Sequence, residues 1–272
     1  MANGMPIPDI TKKDAESGYD PEYPYKNRDP RFYYNFIYDA VKTVLDGSKI
    51  LDPKTGLPQE NKQYASLYEG GLYRTDTPAK AARTGYMNKK FTSQYMNDFD
   101  DYKEGSVLVM PLMRLADVYL MYAEATAAGY GSATATASGY GLTAAGAINI
   151  VRDRAGVGHV ADKFLGSVDQ FMSEVRRERV VELSFEGHRF TDLRRWLLLD
   201  KAPYNKKTAV FFDRAADQKD ADRYADPTQN HVLNLHEEVL VERHYTLPKH
   251  NWFPFPQEDV QLYKGFDQNK GW

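Results

Sequence analysis

The chain contains no cysteine. Disulfide frameworks, thiolate catalysis, cysteine zinc sites and lipid attachment through cysteine are excluded for these 272 residues. Long apolar runs are missing too. The longest stretch free of charged and strongly polar groups is Val107 to Met113, well short of the roughly 18 residues a membrane-spanning helix needs. Nor does one sign of charge dominate. With 35 lysines and arginines against 38 aspartates and glutamates, the net charge is −3, so no chain-wide field attracts nucleic acid or anionic lipid. Met1 to Gly18 shows neither the basic start nor the apolar stretch of a secretory signal.

Glycine and proline are plentiful in the first hundred residues, from Gly4 and Pro6 to Pro78 and Gly85. That density predicts loops with short elements. Phe32 to Leu45 has apolar spacings that suit either a strand or a short helix. From Pro111 the pattern turns helical: Leu112, Leu115, Ala116, Tyr119, Tyr122, Ala123 and Thr126 predict a helix over Pro111 to Ala127. Gly129 to Gly141 reads as a flexible connection. A second helix is expected from Thr143 to Ala155 with Gly156 as its C-cap. A third starts at Ser167, where Ser167 and Gln170 form a capping box, and runs toward Gly187. Phe190 to Leu197 gives a short fourth helix, and Thr246 to Gln257 favours extended backbone, with Pro256 placed to open a final helix. Two antiparallel helix pairs, 111–155 and 167–199, are the grammar of a helical-repeat array.

Six arginines between Ser167 and Asp200 are matched by seven acids. Pairs such as Glu174 with Arg177, Arg179 with Glu182 and Asp192 with Arg195 stand three apart, where helix side chains meet, so an ion-pair lattice is favoured over a phosphate patch. His236, Glu238, Glu242 and His244 would share one face of a strand, but Leu240 interrupts them and no HExxH helix accompanies them; a solvated strand face is the simpler reading. Asp98, Asp100, Asp101 and Glu104 lack the glycine and final acid of a calcium loop. No phosphate loop, nucleophile elbow or cofactor motif is present. Twenty tyrosines are the remaining signal, because a phenol joins an apolar face to a hydrogen-bonding tip suited to sugar rings or peptides.

Several stretches, in order, carry a resemblance. Ala2-Asn3-Gly4, Gly18 to Pro21, Asn27 to Phe32 (NRDPRF), Gly85-Tyr86 with Lys89-Lys90-Phe91, Arg114 to Ala125 (RLADVYLMYAEA), Ile148 to Gly156 (INIVRDRAG), Glu178 to Trp196 (ERVVELSFEGHRFTDLRRW), Phe253 to Gln257 (FPFPQ) and the closing Asn269 to Trp272 span nearly the whole chain. Together they resemble the C-terminal half of SusD/RagB-family outer-membrane nutrient-binding lipoproteins. Asp117 stands where that family usually has glutamate, Thr191 where an aromatic is common, and Lys270 and Trp272 replace a proline and a tyrosine.

The resemblance implies a mainly α fold of tetratricopeptide-like helix pairs with long packed loops. It also implies one domain: a loop-rich part over 1–110, a helical-repeat part over 111–200 and an extended part over 201–272, without the family's N-terminal half and lipid-bearing cysteine. The implied function is non-enzymatic: cell-surface binding of oligosaccharide, or in some members peptide, and delivery to a SusC-like TonB-dependent transporter in the outer membrane. No cofactor, metal or nucleic acid is implied. A carbohydrate-active hydrolase and a tetratricopeptide-like adaptor are the rival readings. Arg114, Glu124, Arg152, Arg154, Glu182, Arg189 and Asp192 are implied to be scaffold residues that orient helices through paired charges. Tyr64, Tyr68, Tyr73, Arg74 and Asp76, in a glycine-bracketed stretch between scaffold motifs, are the expected ligand contacts.

Overall fold

The computed structural model describes residues 1–44, 51–52, 54–57, 59, 63–74, 82–92 and 109–272. Asp76 and the acids Asp98, Asp100, Asp101 and Glu104 lie outside the described residues. The chain divides into two compact units: Met1–Glu186 with Val210–Glu237, and Gly187–Ala209 with Glu238–Trp272.

The first unit opens with α1 (Pro30–Asn35), capped by Asp29, whose carboxylate accepts from the Arg31 N–H at 2.9 Å. The chain then straightens into β1 (Phe36–Ile37), which pairs antiparallel with β2 (Met87–Asn88) in the register Phe36 to Asn88 and Ile37 to Met87. Both alternatives left open for the Phe32 region are therefore used in succession. The helical layer follows: α2 (Leu115–Tyr130), α3 (Ala144–Ala155) and α4 (Val168–Glu182). In this layer α2 is the middle helix and packs on both α3 and α4.

Capping explains where these helices stop and start. The Thr143 hydroxyl accepts from Gly146 N–H at 2.9 Å, and Gly156 ends α3 in the left-handed region. Ser167 likewise accepts from Gln170 N–H, opening α4. Three expectations shift. Helix α2 begins at Leu115, not Pro111, and Leu112 is 98% exposed. Its buried stripe is Ala116, Leu120, Ala123 and Ala127, with Asp117 and Thr126, because small residues let α3 and α4 approach closely. Helix α4 ends at Glu182, before a turn that reaches Gly187. The stretch expected as a flexible connection, Gly129 to Gly141, gives its first two residues to α2, and the remainder is a loop held by hydrogen bonds. Ala133 is buried and accepts from Ala145 N–H at 2.8 Å, while the Tyr122 hydroxyl donates to Leu142 O at 2.6 Å and accepts from Ala137 N–H at 3.2 Å.

Two cores result in this unit. One is aliphatic, with Leu120, Ile148, Val151, Phe171 and Val175 between the helices. The other is aromatic, gathering Tyr25, Phe32, Tyr38, Leu67, Phe212 and Val232 from the loop-rich part and from β3 (Lys206–Arg214) and β4 (Val232–Glu242). Those two strands form a two-stranded sheet. Between them α6 (Asp220–Ala225) supplies Arg223 and Tyr224.

The second unit holds α5 (His188–Arg195), which replaces the helix expected over Phe190 to Leu197, and α7 (Gln257–Leu262), with Pro256 as its N-cap. Arg194 lies 3.9 Å above the Phe253 ring centroid and donates to Asn251 O at 2.7 Å. Gln268 closes the proline-rich segment by accepting from Phe255 N–H and donating to Phe255 O, at 2.8 and 2.9 Å. Among the described residues no helix is long and apolar enough to cross a membrane.

Candidate functional site

Four glutamates recur every fourth residue from α4 into the turn after it: Glu174, Glu178, Glu182 and Glu186. That spacing places them in one row along a helix, and each side chain is only 2% exposed. Burying four carboxylates is tolerated only when cations and hydrogen bonds replace water. Arg152 of α3, fully buried, bonds Glu174 and Glu178 at 2.8 Å each. Arg31 of α1 bonds Glu178 at 2.6 Å and Glu182 at 2.9 Å. Arg114, at the N-cap of α2, bonds Glu182 at 2.8 Å and Glu186 at 2.6 Å. Arg154 adds a contact to Glu182 and Lys90 one to Glu186, both at 2.6 Å. Arg177 pairs with Glu174 on its own helix. Burial works to raise the Glu182 pKa, yet the Arg31 and Arg114 guanidinium groups hold it below the ordinary carboxylate value; Arg177 and Arg152 do the same for Glu174.

Among the residues named from the sequence, Arg114, Arg152, Arg154 and Glu182 thus meet in one ladder, and Glu124 lies half-buried on α2. Arg179 bonds Asp117 of α2 at 2.7 Å, both groups buried, instead of the Glu182 expected. In the second unit Asp192 bonds Arg195 at 2.8 Å, whereas Arg189 lies 5.3 Å from the Tyr204 ring centroid. Glu174 pairs with Arg177 as its spacing suggests, whereas Arg31, Lys90, Asp117, Glu178 and Glu186 were given no partner from the sequence, although the four-residue glutamate period was visible in it. Such a ladder is arranged to hold helices and leaves few free acceptors for a ligand.

The expected ligand stretch has a different character. Tyr64, Tyr68, Tyr73 and Arg74 are all half-buried. Tyr68 and Tyr73 pack against the aromatic core. Tyr64 stands outside that cluster and stacks on Tyr224 at 3.8 Å between centroids, with 7° between ring planes. The Arg74 guanidinium lies 4.2 Å from the Phe211 ring centroid, and its Nη1 donates to Ala82 O and Arg83 O at 2.8 and 2.9 Å. Tyr224 is a missed neighbour, 160 residues further along, that no local pattern links to Tyr64. In β4, His236 stacks on Phe211 and no three metal-ligating side chains converge among the described residues.

A separate cleft of about 290 Å³ runs between the N-terminal segment, α1 and α4. Its walls are largely apolar, with Met5, Ile7, Phe32, Phe36 and Val181, and Arg177 crosses one end to donate to Gly4 O at 2.6 Å.

The sequence matches the SusD family over residues 1–272, and the chain belongs to that family. Its fold is similar to a SusD-like protein from Bacteroides fragilis NCTC 9343, with a TM-score of 0.61 at 21% identity. The match covers all of this chain and 45% of that one, so the chain spans less than half the length of that neighbour. A SusD superfamily protein from Parabacteroides distasonis ATCC 8503 aligns with a TM-score of 0.40 at 20% identity, over 91% of this chain and 47% of its own. No curated protein matches the chain. The fold is thus mainly helical and SusD-like.

Proposed function

We propose that this chain belongs to a non-catalytic nutrient binder of the bacterial cell surface, one that takes up oligosaccharide in preference to peptide and hands it to a SusC-like TonB-dependent transporter in the outer membrane. The observation that carries this reading is the family match along the entire chain, supported by the SusD-like fold. On this reading the α4 ladder is scaffold. Its carboxylates are already engaged by cations, so none stands ready as the acid or base that glycoside hydrolysis needs.

The ligand surface proposed here is the 64–76 stretch, with Tyr64 as its leading contact. Its ring is fixed by Tyr224 on one side and stands outside the core, which suits stacking on a sugar without further ordering cost. Tyr68 and Tyr73 then contribute edges and hydroxyls, and Asp76 completes the set. Affinity electrophoresis through gels containing a panel of polysaccharides tests the proposal. Retardation by at least one glycan, without release of reducing ends, is expected; reducing ends that accumulate with time would mean a hydrolase.

A further inference from the structure

A basin of about 470 Å³ lies wholly within the second unit. Four cations line it, Arg189, Lys206, Lys207 and Arg243, beside the rings of Phe190 and Tyr204. Among the described residues no aspartate or glutamate lines the basin. Lys206 has a distant partner in Glu242, at 3.7 Å. For Arg189, Lys207 and Arg243, no side-chain hydrogen bond or ion pair occurs among the described residues. Asp192, one turn along from Arg189, is bonded to Arg195. The neighbour of Arg189 is the Tyr204 ring, which attracts the charge but offers its N–H groups no acceptor in the ring plane's face.

Glu242 beside Lys206 and the buried Asp192 near Arg189 are the acids close to these four cations, so positive charge stays in excess around the concave surface. A bound oxyanion relieves the remaining repulsion through charge-assisted hydrogen bonds. The volume falls in the range of small-ligand sites, about 300–1,000 Å³, and not that of an extended macromolecular face. The two rings add apolar surface of the kind that packs on a sugar. We infer that this basin binds the anionic substituent of an acidic saccharide, a uronate carboxylate or a sulfate ester. The inference rests on the glycan-binding reading and adds the charge of the substrate.

Calorimetry with a galacturonate oligomer and its methyl ester, and with dextran sulfate and dextran, tests it on the whole chain. The acid or the sulfate is expected to bind roughly tenfold tighter than its neutral counterpart, and more weakly as salt is raised. A gain with the galacturonate alone supports a carboxylate site, and a gain with dextran sulfate alone a sulfate site. Arg189→Gln and Lys207→Gln, at exposed positions, together with Arg243→Gln, at a half-buried one, are expected to remove that gain with melting temperature unchanged. Equal affinity for charged and neutral members of both pairs overturns the inference and, if the neutral glycans bind, leaves the broader reading standing. A charge-dependent gain that survives all three substitutions also overturns it. Displacement of the galacturonate by hexaglutamate overturns the saccharide assignment.

Discussion

Arg31 Nη1 lies 2.6 Å from Glu178 Oε1, joining α1 to α4 across 147 residues of sequence. The same guanidinium also holds Asp29 and Glu182, so one side chain ties the loop-rich part to the helical layer. Arg152 does the same between α3 and α4 from a fully buried position.

Arg152→Ala or Glu178→Gln is therefore expected to destabilise the fold by about 3–5 kcal/mol, because the abandoned partners stay buried and charged. Urea unfolding followed by circular dichroism measures this. A change within a few tenths of a kcal/mol would show the ladder to be energetically idle.

The ladder also sets an acid limit. Glu174, Glu182 and Glu186 all have folded pKa values below the ordinary 4.5. A group with a depressed folded pKa contributes stability that is full above its unfolded pKa and lost as pH falls through the folded value. Melting temperature is expected to hold between about pH 5 and 7 and to fall steeply below about pH 4.5. Buried Asp39 acts in the opposite sense: burial raises its pKa despite Arg223, so its contribution declines as pH rises. Glu182→Gln should flatten the acid limb in a thermal-shift series, and an unchanged limb would assign it to other carboxylates.

Backbone packing at the N-terminal segment gives a third test. A Cβ on Gly158 would stand 2.3 Å from Asn3 O, and one on Gly4 2.3 Å from Gly158 O, where the Gly158 N–H donates to Ala2 O at 3.0 Å. Gly158→Ala is expected to cost about 1–3 kcal/mol by forcing two backbones apart. Gly129→Ala, with open space around it and inside α2, should be neutral or stabilising by about 1 kcal/mol. Equal melting temperatures for the two variants would contradict the close approach.

How much of this was legible in the sequence depends on the range of the interaction. Helix ends set by local caps, Thr143 and Gly156 around α3 and Ser167 before α4, could be read directly because cap and first turn are neighbours in sequence. The start of α2 could not: Pro111 fits a first turn, but Arg114, drawn into bonds with Glu182 and Glu186, becomes the N-cap. Spacing alone offered Arg179 a partner three residues away in Glu182, whereas the packed helices present Asp117. The Tyr64 pair with Tyr224 joins a residue of the loop-rich part to α6, and their approach is set by the fold.

For the proposed ligand stretch, Tyr64→Ala is expected to weaken glycan binding by about 0.5–1.5 kcal/mol with little loss of stability. Tyr68→Ala and Tyr73→Ala should lower stability as well, since both rings pack on the aromatic core. Affinity and melting temperature measured together separate the two effects. Unaltered affinity in the Tyr64, Tyr68 and Tyr73 triple variant would place the ligand elsewhere.

Binding without turnover separates a nutrient binder from a hydrolase. Calorimetric titration of the glycan that retards the chain, followed by prolonged incubation and chromatographic sizing of the recovered glycan, tests it most directly. Saturable binding and an unchanged chain-length distribution are expected. Shortened glycan chains, or no saturable binding to any glycan of the panel, would contradict it.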